Sequence, residues 1–486
     1  MFVTLFTSRI VLQTLGVVDF GIHNVVASTV MMFGFLRGTL MDMTQRFISV
    51  ELGKNADISV LRKIFSTSVI LHIMAGVLVV ILAGTIGLWF LNNRLVIPAN
   101  RMIAANWVYW FAVFSFLLAL LTSPFTALII SHEDMHVHGY MGIFDVAMRL
   151  IAVYLLAVVI NADKLVYFAL FLFIIACIVF LAHFIYCQKK YKETKFSFVY
   201  DKSLIKEFGG FGGYIVVGNI FAVVMAQGTT IMINIFYGPV VNAAKGLANA
   251  VNGAVQSFAM NFNQAITPQI TMSCAANDTK VMWNLVGIGT RMTYFLLLVF
   301  SVPFLLETEF ILQLWLGNVP EYTSIFVRLM IIEALINRSL SGLHILPGAS
   351  GKLRLWCCFS YTASVLLLVL FYLICRMGYS PQYVLVVFPL VRLLFLPIWI
   401  ILSKKLFNLS FKFFVKKMFA PVLVVSMASF LPFYFLNVIS SSLVLYSWVV
   451  IPMSIVWTGI VIMLIGLGRD ERVKILAFVK QRFISN

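Results

Sequence analysis

Charged side chains inside apolar segments are the first candidates for chemistry in this chain of 486 residues. An ionised side chain at bilayer depth costs at least about 2.5 to 3.5 kcal/mol on insertion scales, so such groups usually face a partner or a water-filled cavity. Nine basic residues fall inside these segments, against three acidic ones, and this excess indicates an anionic ligand. The basic residues are Arg9, Arg37, Arg46, Arg149, Lys245, Arg291, Arg328, Arg338 and Arg392. The acidic residues are Asp42, Asp145 and Glu333.

Spacing separates cations that an acid on the same helix can neutralise from those that it cannot. Asp42 and Arg46 are four residues apart, as are Asp145 and Arg149, and this spacing brings opposite charges together on one helix face. Three arginines lie near estimated helix ends, where reaching the lipid headgroups is favoured over contacting a ligand. These are Arg9, Arg328 and Arg392. No acid stands three or four residues from the better candidates. These are Arg37, Lys245 and Arg291.

A polar stripe runs along the apolar segment 239–270. Its members are separated by three, four or seven residues, which places them on one face of a helix. They are Asn242, Lys245, Asn249, Asn252, Gln256 and Asn263. Such a stripe either bonds helices together or lines an aqueous cavity. We favour the cavity, because bonding would require matching partners along the whole stripe.

The elements that carry these residues are membrane helices, as the composition requires. The chain is 62% hydrophobic and only 11% charged, with a mean hydropathy of +1.01. Soluble domains carry about 25% charged residues, so this composition excludes soluble enzymes and readers of nucleic acid. At about 20 apolar residues a span, the sequence predicts an all-α polytopic membrane protein with about 14 transmembrane helices. The predicted segments are 1–15, 21–50, 64–91, 104–131, 139–161, 164–187, 208–236, 239–270, 283–306, 322–346, 353–376, 381–403, 418–437 and 443–467.

The distribution of basic residues between alternate loops predicts the orientation. Loops assigned to the cytoplasm hold 22 Lys and Arg residues, whereas the opposite loops hold four. Cytoplasmic loops of membrane proteins carry such an excess. An even number of spans places both termini on one side, so the C-terminus is predicted to be cytoplasmic.

An internal repeat predicts two six-helix lobes around a central cleft. Phe20-Gly21 opens one long segment and Tyr237-Gly238 opens another, 217 residues later. The predicted organisation is an N-lobe (1–187), a basic inter-lobe loop (188–206), a C-lobe (207–403), two further helices (404–467) and a basic tail (468–486). The same offset predicts a first helix that begins about ten residues before Met1. Either the chain starts inside this helix or the helix is short, and the sequence leaves both open.

The sequence lacks the motifs of nucleotide-binding and metal-binding proteins. The chain has no Gly-x-x-x-x-Gly-Lys-Ser/Thr loop for nucleotide phosphates. His132, His136 and His138 cluster in a short loop, but a solvated polar turn is favoured there over a metal site. We therefore expect no catalytic residues, no metal and no cofactor.

The runs TSRIVLQTLGVVDFGIHNVV (7–26) and TQRFISVELGK (44–54) resemble the N-terminal lobe of a transporter family. This family is the polysaccharide-transporter branch of the multidrug/oligosaccharidyl-lipid/polysaccharide exporter superfamily, which includes Wzx-type O-antigen flippases. The helix number, the basic mid-chain loop and the run AITPQI (265–270), which closes its helix in relatives, extend the resemblance over essentially the whole chain.

The resemblance implies a flippase that moves undecaprenyl-pyrophosphate-linked oligosaccharide, a repeat unit of O-antigen, capsule or exopolysaccharide, across the bacterial inner membrane. Its expected partners are this lipid, the phospholipid bilayer and the polysaccharide polymerase machinery, without nucleic acid. Arginine and lysine suit the pyrophosphate, and amides suit sugar hydroxyls. The candidate pyrophosphate ligands are Arg37, Arg46, Lys245 and Arg291. The candidate sugar ligands are Asn242, Asn249, Asn252 and Gln256. The candidate ion-coupling acids are Asp42 and Glu333.

Three other functions compete with this interpretation. A multidrug or metabolite antiporter of the same superfamily is expected to carry acids in its cavity, and the excess of basic residues argues against it. A polymerase or glycosyltransferase typically needs a sizeable outer loop, whereas the loops 92–103 and 307–321 are short. A structural scaffold would have little reason to keep so many buried cations.

Overall fold

The computed structural model describes residues 2–53, 57–158, 162–195, 213–276, 278–350, 352–440, 444–468 and 471–473. Every regular element in these ranges is helical. Eleven helices of the described part are long and apolar enough to cross a membrane, or twelve if one bent pair forms a single span. This number is close to the predicted fourteen, and the all-α polytopic class is confirmed.

One compact unit, the first unit, comprises Phe2–Leu247 and Leu368–Pro381. Helix α5 contacts α1, α2, α3, α6 and α7 and buries a face that includes Tyr109 and Phe116, so it lies at the centre of this unit. A π-helical turn, Ala83–Gly87, joins α3 to α4. The helices are α1 (Phe2–Met31), α2 (Gly34–Gly53), α3 (Ile58–Leu82), α4 (Leu88–Asn93), α5 (Met102–Ser131), α6 (Met135–Val158), α7 (Lys164–Lys190) and the first part of α8 (Gly213–Ala275).

The other compact unit, the second unit, comprises Ala248–Leu367 and Gln382–Asn486. Helix α9 contacts α11, α12, α16 and α17 and is its central helix. The helices are the rest of α8, α9 (Thr279–Leu306), α10 (Thr308–Leu316), α11 (Thr323–Arg338), α12 (Ser341–Ser350), most of α13 (Leu353–Arg376), α14 (Pro381–Phe407), α15 (Phe411–Phe414), α16 (Ala420–Ser440) and α17 (Val444–Val461). The lobe boundaries predicted from the loops stay a prediction.

The first two predicted segments differ from the helices that form. The element α1 runs from Phe2 to Met31 and is broken at Gly16, where φ is +80°, so the predicted end of the first segment at residue 15 is confirmed, but helix resumes directly after Gly16. The predicted long helix 21–50 is wrong, because α1 ends at Met31 and α2 begins at Gly34. The residues at this break are as apolar as their neighbours, so hydropathy does not reveal it.

The predicted boundary between segments 208–236 and 239–270 is confirmed, because the element α8 consists of two helices that meet at a kink at Gly238, where φ is +81°. Proline has no backbone N–H to donate, and its ring disfavours the α-helical conformation of the residue before it. Pro239 therefore accounts for the break at Gly238. Helix α8 continues to Ala275, so the run 265–270 does not close it.

Candidate functional site

The exposed face of α2 carries several predicted site residues of the first unit. Arg37, Asp42, Arg46 and Ser49 are all exposed. The last three line a cavity of about 470 Å³. Residues separated by three or four positions share one helix face, so Asp42, Arg46 and Ser49 present carboxylate, guanidinium and hydroxyl groups together, whereas Arg37 lies on a different side of α2.

Arg37 is positioned by a neighbouring helix. Its Nε donates a hydrogen bond to Ser123 Oγ of α5, at 3.2 Å. Ser123 is fully buried, whereas the Arg37 side chain stays exposed. The contact therefore orients the guanidinium group while leaving part of it open to a ligand.

The start of the polar stripe on α8 is buried inside the first unit. Lys245 is 2% exposed, and its Nζ donates to Thr229 Oγ1 at 2.5 Å. Asn242 Nδ2 donates to the Thr230 carbonyl at 3.0 Å. These bonds tie the two arms of α8 together across the Gly238 break.

Helix α1 crosses α8 directly beside these residues. Asn24 Nδ2 donates to Asn242 Oδ1 at 2.7 Å. Close by, a methyl group on Gly21 would overlap the backbone carbonyl of Pro239. Asn242 and Lys245 are therefore occupied by contacts that hold helices together, which is the alternative that we weighed against a cavity.

The rest of the stripe lies in the second unit and is more accessible. Asn249 is exposed, and Asn252, Gln256 and Asn263 are half-buried. Gln256 Nε2 donates to Asn252 Oδ1 at 3.1 Å, and Gln256 Oε1 accepts from Arg338 Nη2 at 2.9 Å. This part of the stripe thus leads to the half-buried Arg338, a basic residue of the apolar segments that was not among the predicted ligands.

A polar cavity of about 310 Å³ surrounds that arginine. Two arginines line the cavity together with amides, hydroxyls and aromatic rings, and no Asp or Glu is among the described residues of its lining. Trp399 packs on Trp356 at 4.5 Å between ring centroids, and His344 packs against both rings. The lining residues are Asn263, Asn337, Arg338, Ser341, His344, Ser360, Ser364, Arg392 and Trp399. We call this cavity the arginine pocket.

Arg392 corrects one sequence prediction. It was assigned to the headgroups, but it lies near the middle of α14 and its Nε donates to Glu333 Oε1 at 2.9 Å. A mid-helix arginine can avoid the cost of burial by pairing with an acid and facing a polar cavity. Glu333, a predicted coupling acid, is therefore an ion-pair partner at the edge of the arginine pocket.

Arg291, a predicted pyrophosphate ligand, contacts other parts of the second unit. It is 8% exposed, and its Nη2 donates to Glu471 Oε1 at 2.7 Å while Nη1 donates to the Gly466 carbonyl at 3.1 Å. Its charge is thus engaged by the segment that follows α17.

Other charged residues have local partners. Asp145 and Arg149 form the predicted i,i+4 ion pair at 2.9 Å. Arg328 donates to Thr308 Oγ1 at 2.9 Å near the start of α10. His132 Nε2 lies 2.6 Å from Glu193 Oε1. Within the described ranges, no group of His, Cys, Asp and Glu could hold a metal ion.

Sequence reasoning missed the convergence of Arg338, Ser341 and Arg392. These residues belong to α11, α12 and α14, and helical periodicity relates residues only within one helix. One local signal was available, because Asn337 and Arg338 are adjacent polar residues inside the apolar segment 322–346. They stand where α11 ends and the chain bends by 50° into α12.

No protein-family model and no curated protein matches the chain. A MATE-family multidrug resistance transporter of the MOP superfamily, in an inward-facing conformation, is similar in structure with a TM-score of 0.68 and 10% identity. The match covers 84% of this chain and 96% of the transporter.

Two other solved structures are similar over most of their length. The lipid II flippase MurJ matches with a TM-score of 0.64 and 13% identity over 99% of this chain and 97% of the flippase. The MATE multidrug transporter DinF-BH matches with a TM-score of 0.61 and 15% identity over 84% of this chain and 93% of that protein. The chain therefore has the fold of MATE and MurJ transporters.

Proposed function

We propose that this protein is a flippase that moves a polyprenyl-pyrophosphate-linked oligosaccharide across the bacterial inner membrane by alternating access. The observation that carries the proposal is the arginine pocket, whose described lining residues supply two guanidinium groups, amides and hydroxyls but no carboxylate. A pyrophosphate requires cationic hydrogen-bond donors, and a glycan requires polar side chains that exchange hydrogen bonds with its hydroxyls.

The candidate ligands divide into two sets by their environment. In the first set, Arg37 and Arg46 serve the pyrophosphate, and Asn249, Asn252 and Gln256 serve sugar hydroxyls, because these side chains are exposed or half-buried. In the second set, Asn242, Lys245 and Arg291 act through contacts inside the protein. The proposed coupling acids are Asp42, on the open face of α2, and Glu333, beside Arg392.

The extent of the structural match supports a flippase over a drug exporter. The lipid II flippase matches over 99% of this chain, whereas both MATE transporters match over 84%. An antiporter for organic cations is the second candidate, favoured by the high TM-score of the first MATE structure. The arginine pocket argues against it, because Arg338, whose partner is a neutral amide, repels a cationic ligand.

A complementation assay tests the proposal in a bacterium whose surface glycan depends on this protein. Cells lacking it are compared with cells that carry the wild type, Arg37→Gln plus Arg46→Gln, or the control Arg149→Gln, all at equal membrane levels. Lipid-linked oligosaccharide is then measured on each leaflet with inverted and right-side-out vesicles. We expect the transport rate of the double variant to be lower than that of the wild type by roughly tenfold or more, since each charge-assisted hydrogen bond contributes about 1.5–3 kcal/mol.

The alternatives predict different results. An enzyme of glycan assembly would let the oligosaccharide reach the outer leaflet, where it would stay unpolymerised. A drug exporter would leave the glycan unchanged, and its loss would raise drug sensitivity. Equal transport by the double variant and the wild type would refute the assignment of Arg37 and Arg46.

A further inference from the structure

The arginine pocket contains polar atoms that no contact within the described part of the protein satisfies. Arg338 Nε and Ser341 Oγ are buried and lack a hydrogen-bond partner among the described residues. Ser341 is only 3% exposed, and both residues line the cavity. A buried polar group without a partner costs about 1–3 kcal/mol, so such groups are retained where a ligand supplies the missing bond.

The charge of the pocket fixes the sign of its ligand. Arg338 and Arg392 line the cavity, and the acid beside them, Glu333, is paired with Arg392. Arg338 has a glutamine amide as its partner, which orients the guanidinium group without neutralising it. The pocket is therefore positively charged at Arg338, beside the Ser341 hydroxyl and the amides of Asn263 and Asn337.

We propose that the arginine pocket binds an oxyanion, a phosphate or carboxylate group, through Arg338, Ser341 and Arg392. Arg338 Nε and Ser341 Oγ donate to its oxygens, and Arg392, whose Nε is paired with Glu333, offers further N–H donors from α14. Arginine suits this task because its planar donors match the geometry of both anions. On the flippase function proposed above, on which the identity of the ligand rests, the oxyanion is either the pyrophosphate of the carrier lipid or the carboxylate of an acidic sugar.

The test measures ligand-induced thermal stabilisation and binding by calorimetry on the purified full-length protein in detergent. The probes are inorganic pyrophosphate, inorganic phosphate and glucuronate, each compared with chloride at equal ionic strength. The variants are Arg338→Gln and Ser341→Ala. Arg328→Gln is the matched control, because Arg328 lies on the same helix, carries the same charge and is not among the lining residues.

We expect at least one oxyanion to raise the Tm of the wild type, and Arg338→Gln to weaken its binding by about tenfold or more. Ser341→Ala should weaken binding severalfold while leaving the Tm of the free protein equal or higher, because it removes an unsatisfied hydroxyl. A purely structural serine would not give this combination. Arg328→Gln should change the affinity by less than about twofold.

The probes separate the sources of the anion. Tighter binding of pyrophosphate than of glucuronate assigns the pocket to the carrier lipid, and the reverse assigns it to an acidic sugar. The proposal is overturned if no probe stabilises the protein more than chloride does, or if Arg328→Gln weakens binding as much as Arg338→Gln. Failure of this binding test is distinct from failure of the flippase function, which the leaflet assay measures in cells.

Discussion

Lys245 is a buried lysine whose Nζ donates a hydrogen bond to a neutral hydroxyl. A buried ammonium group is stabilised by every hydrogen bond that it keeps, and replacing a buried charge by an apolar side chain of similar size is often neutral or stabilising. Thr229 accepts that bond on the other arm of α8. The contribution of Lys245 to the free energy of unfolding therefore depends on Thr229.

Thr229→Val should lower the free energy of unfolding by about 1–3 kcal/mol, because Lys245 Nζ loses this acceptor. Adding Lys245→Met should recover most of that loss, since no buried charge remains. Thermal denaturation of the two single variants and the double variant in detergent measures the coupling energy. Additive effects would show that the contact carries no energy of its own.

A second residue-scale prediction concerns pH. Asp134, between α5 and α6, accepts hydrogen bonds from Lys190 Nζ, at 2.7 Å, and from the Tyr191 hydroxyl. These bonds, with that from Lys190 the largest influence, hold the pKa of Asp134 below its ordinary value. A lowered pKa contributes stability above the unfolded pKa, near 3.9, and that contribution is lost as the pH falls through the folded value.

Acidification below about pH 4 should therefore destabilise the wild type more than Asp134→Asn, which has no carboxylate to protonate. Thermal denaturation from pH 6 to pH 3 measures the difference between the two curves. Parallel curves would contradict the prediction. The same measurement on Glu193→Gln provides a comparison with a second carboxyl group. Burial raises the pKa of Glu193, but hydrogen bonds from His132 and from the backbone bring the pKa below its ordinary value.

At the scale of elements, the crossing of α1 and α8 requires close backbone contact. Gly21 faces the carbonyl of Pro239, and Gly246 lies against the Asn24 side chain. This crossing aligns Asn24 with Asn242, so their hydrogen bond depends on the spacing of the helices.

Gly21→Ala should push α1 away from α8 and lower the Tm, because the added methyl group meets rigid backbone. Gly139→Ala is the matched control, since Gly139 lies within α6 and a methyl group there meets no atom within 4 Å. Alanine favours a helix interior over glycine by about 1 kcal/mol, so the control should be neutral or stabilising. A Tm for Gly21→Ala that matches the wild type would contradict this account of the crossing.

At the scale of the whole molecule, the basic loops predict a cytoplasmic C-terminus. A green fluorescent protein fused after residue 486 should fluoresce, and an alkaline phosphatase fused there should stay inactive. Fusions after Asn93, in a predicted outer loop, should give the opposite result. Opposite results at both fusion sites would show that the topology is inverted. The expected result at only one of the two sites would show that the number of spans between them differs from the prediction.

The sequence predicted the class and most helices, because hydrophobic length is a local property that the bilayer imposes. Residues 164–187, for example, fall within α7, which spans Lys164–Lys190. The break at Gly238 falls at the predicted boundary between segments 208–236 and 239–270, whereas the break after Met31 was missed because the residues there are as apolar as their neighbours. The same limit applies to the site. The stripe from Asn249 to Gln256 could be read from its spacing, but the meeting of Arg338 with Ser341 and Arg392 joins three helices that no periodicity connects.

The ion pair of Arg291 also has a consequence for biosynthesis. Arg291 enters the apolar interior of α9 about 180 residues before its acceptor Glu471 is synthesised. Through that interval the guanidinium group needs water, lipid headgroups or a chaperone as a temporary partner. The second unit can therefore reach its final packing only after the segment that carries Glu471 has left the ribosome, and quality-control proteases meet it before then in an incomplete form.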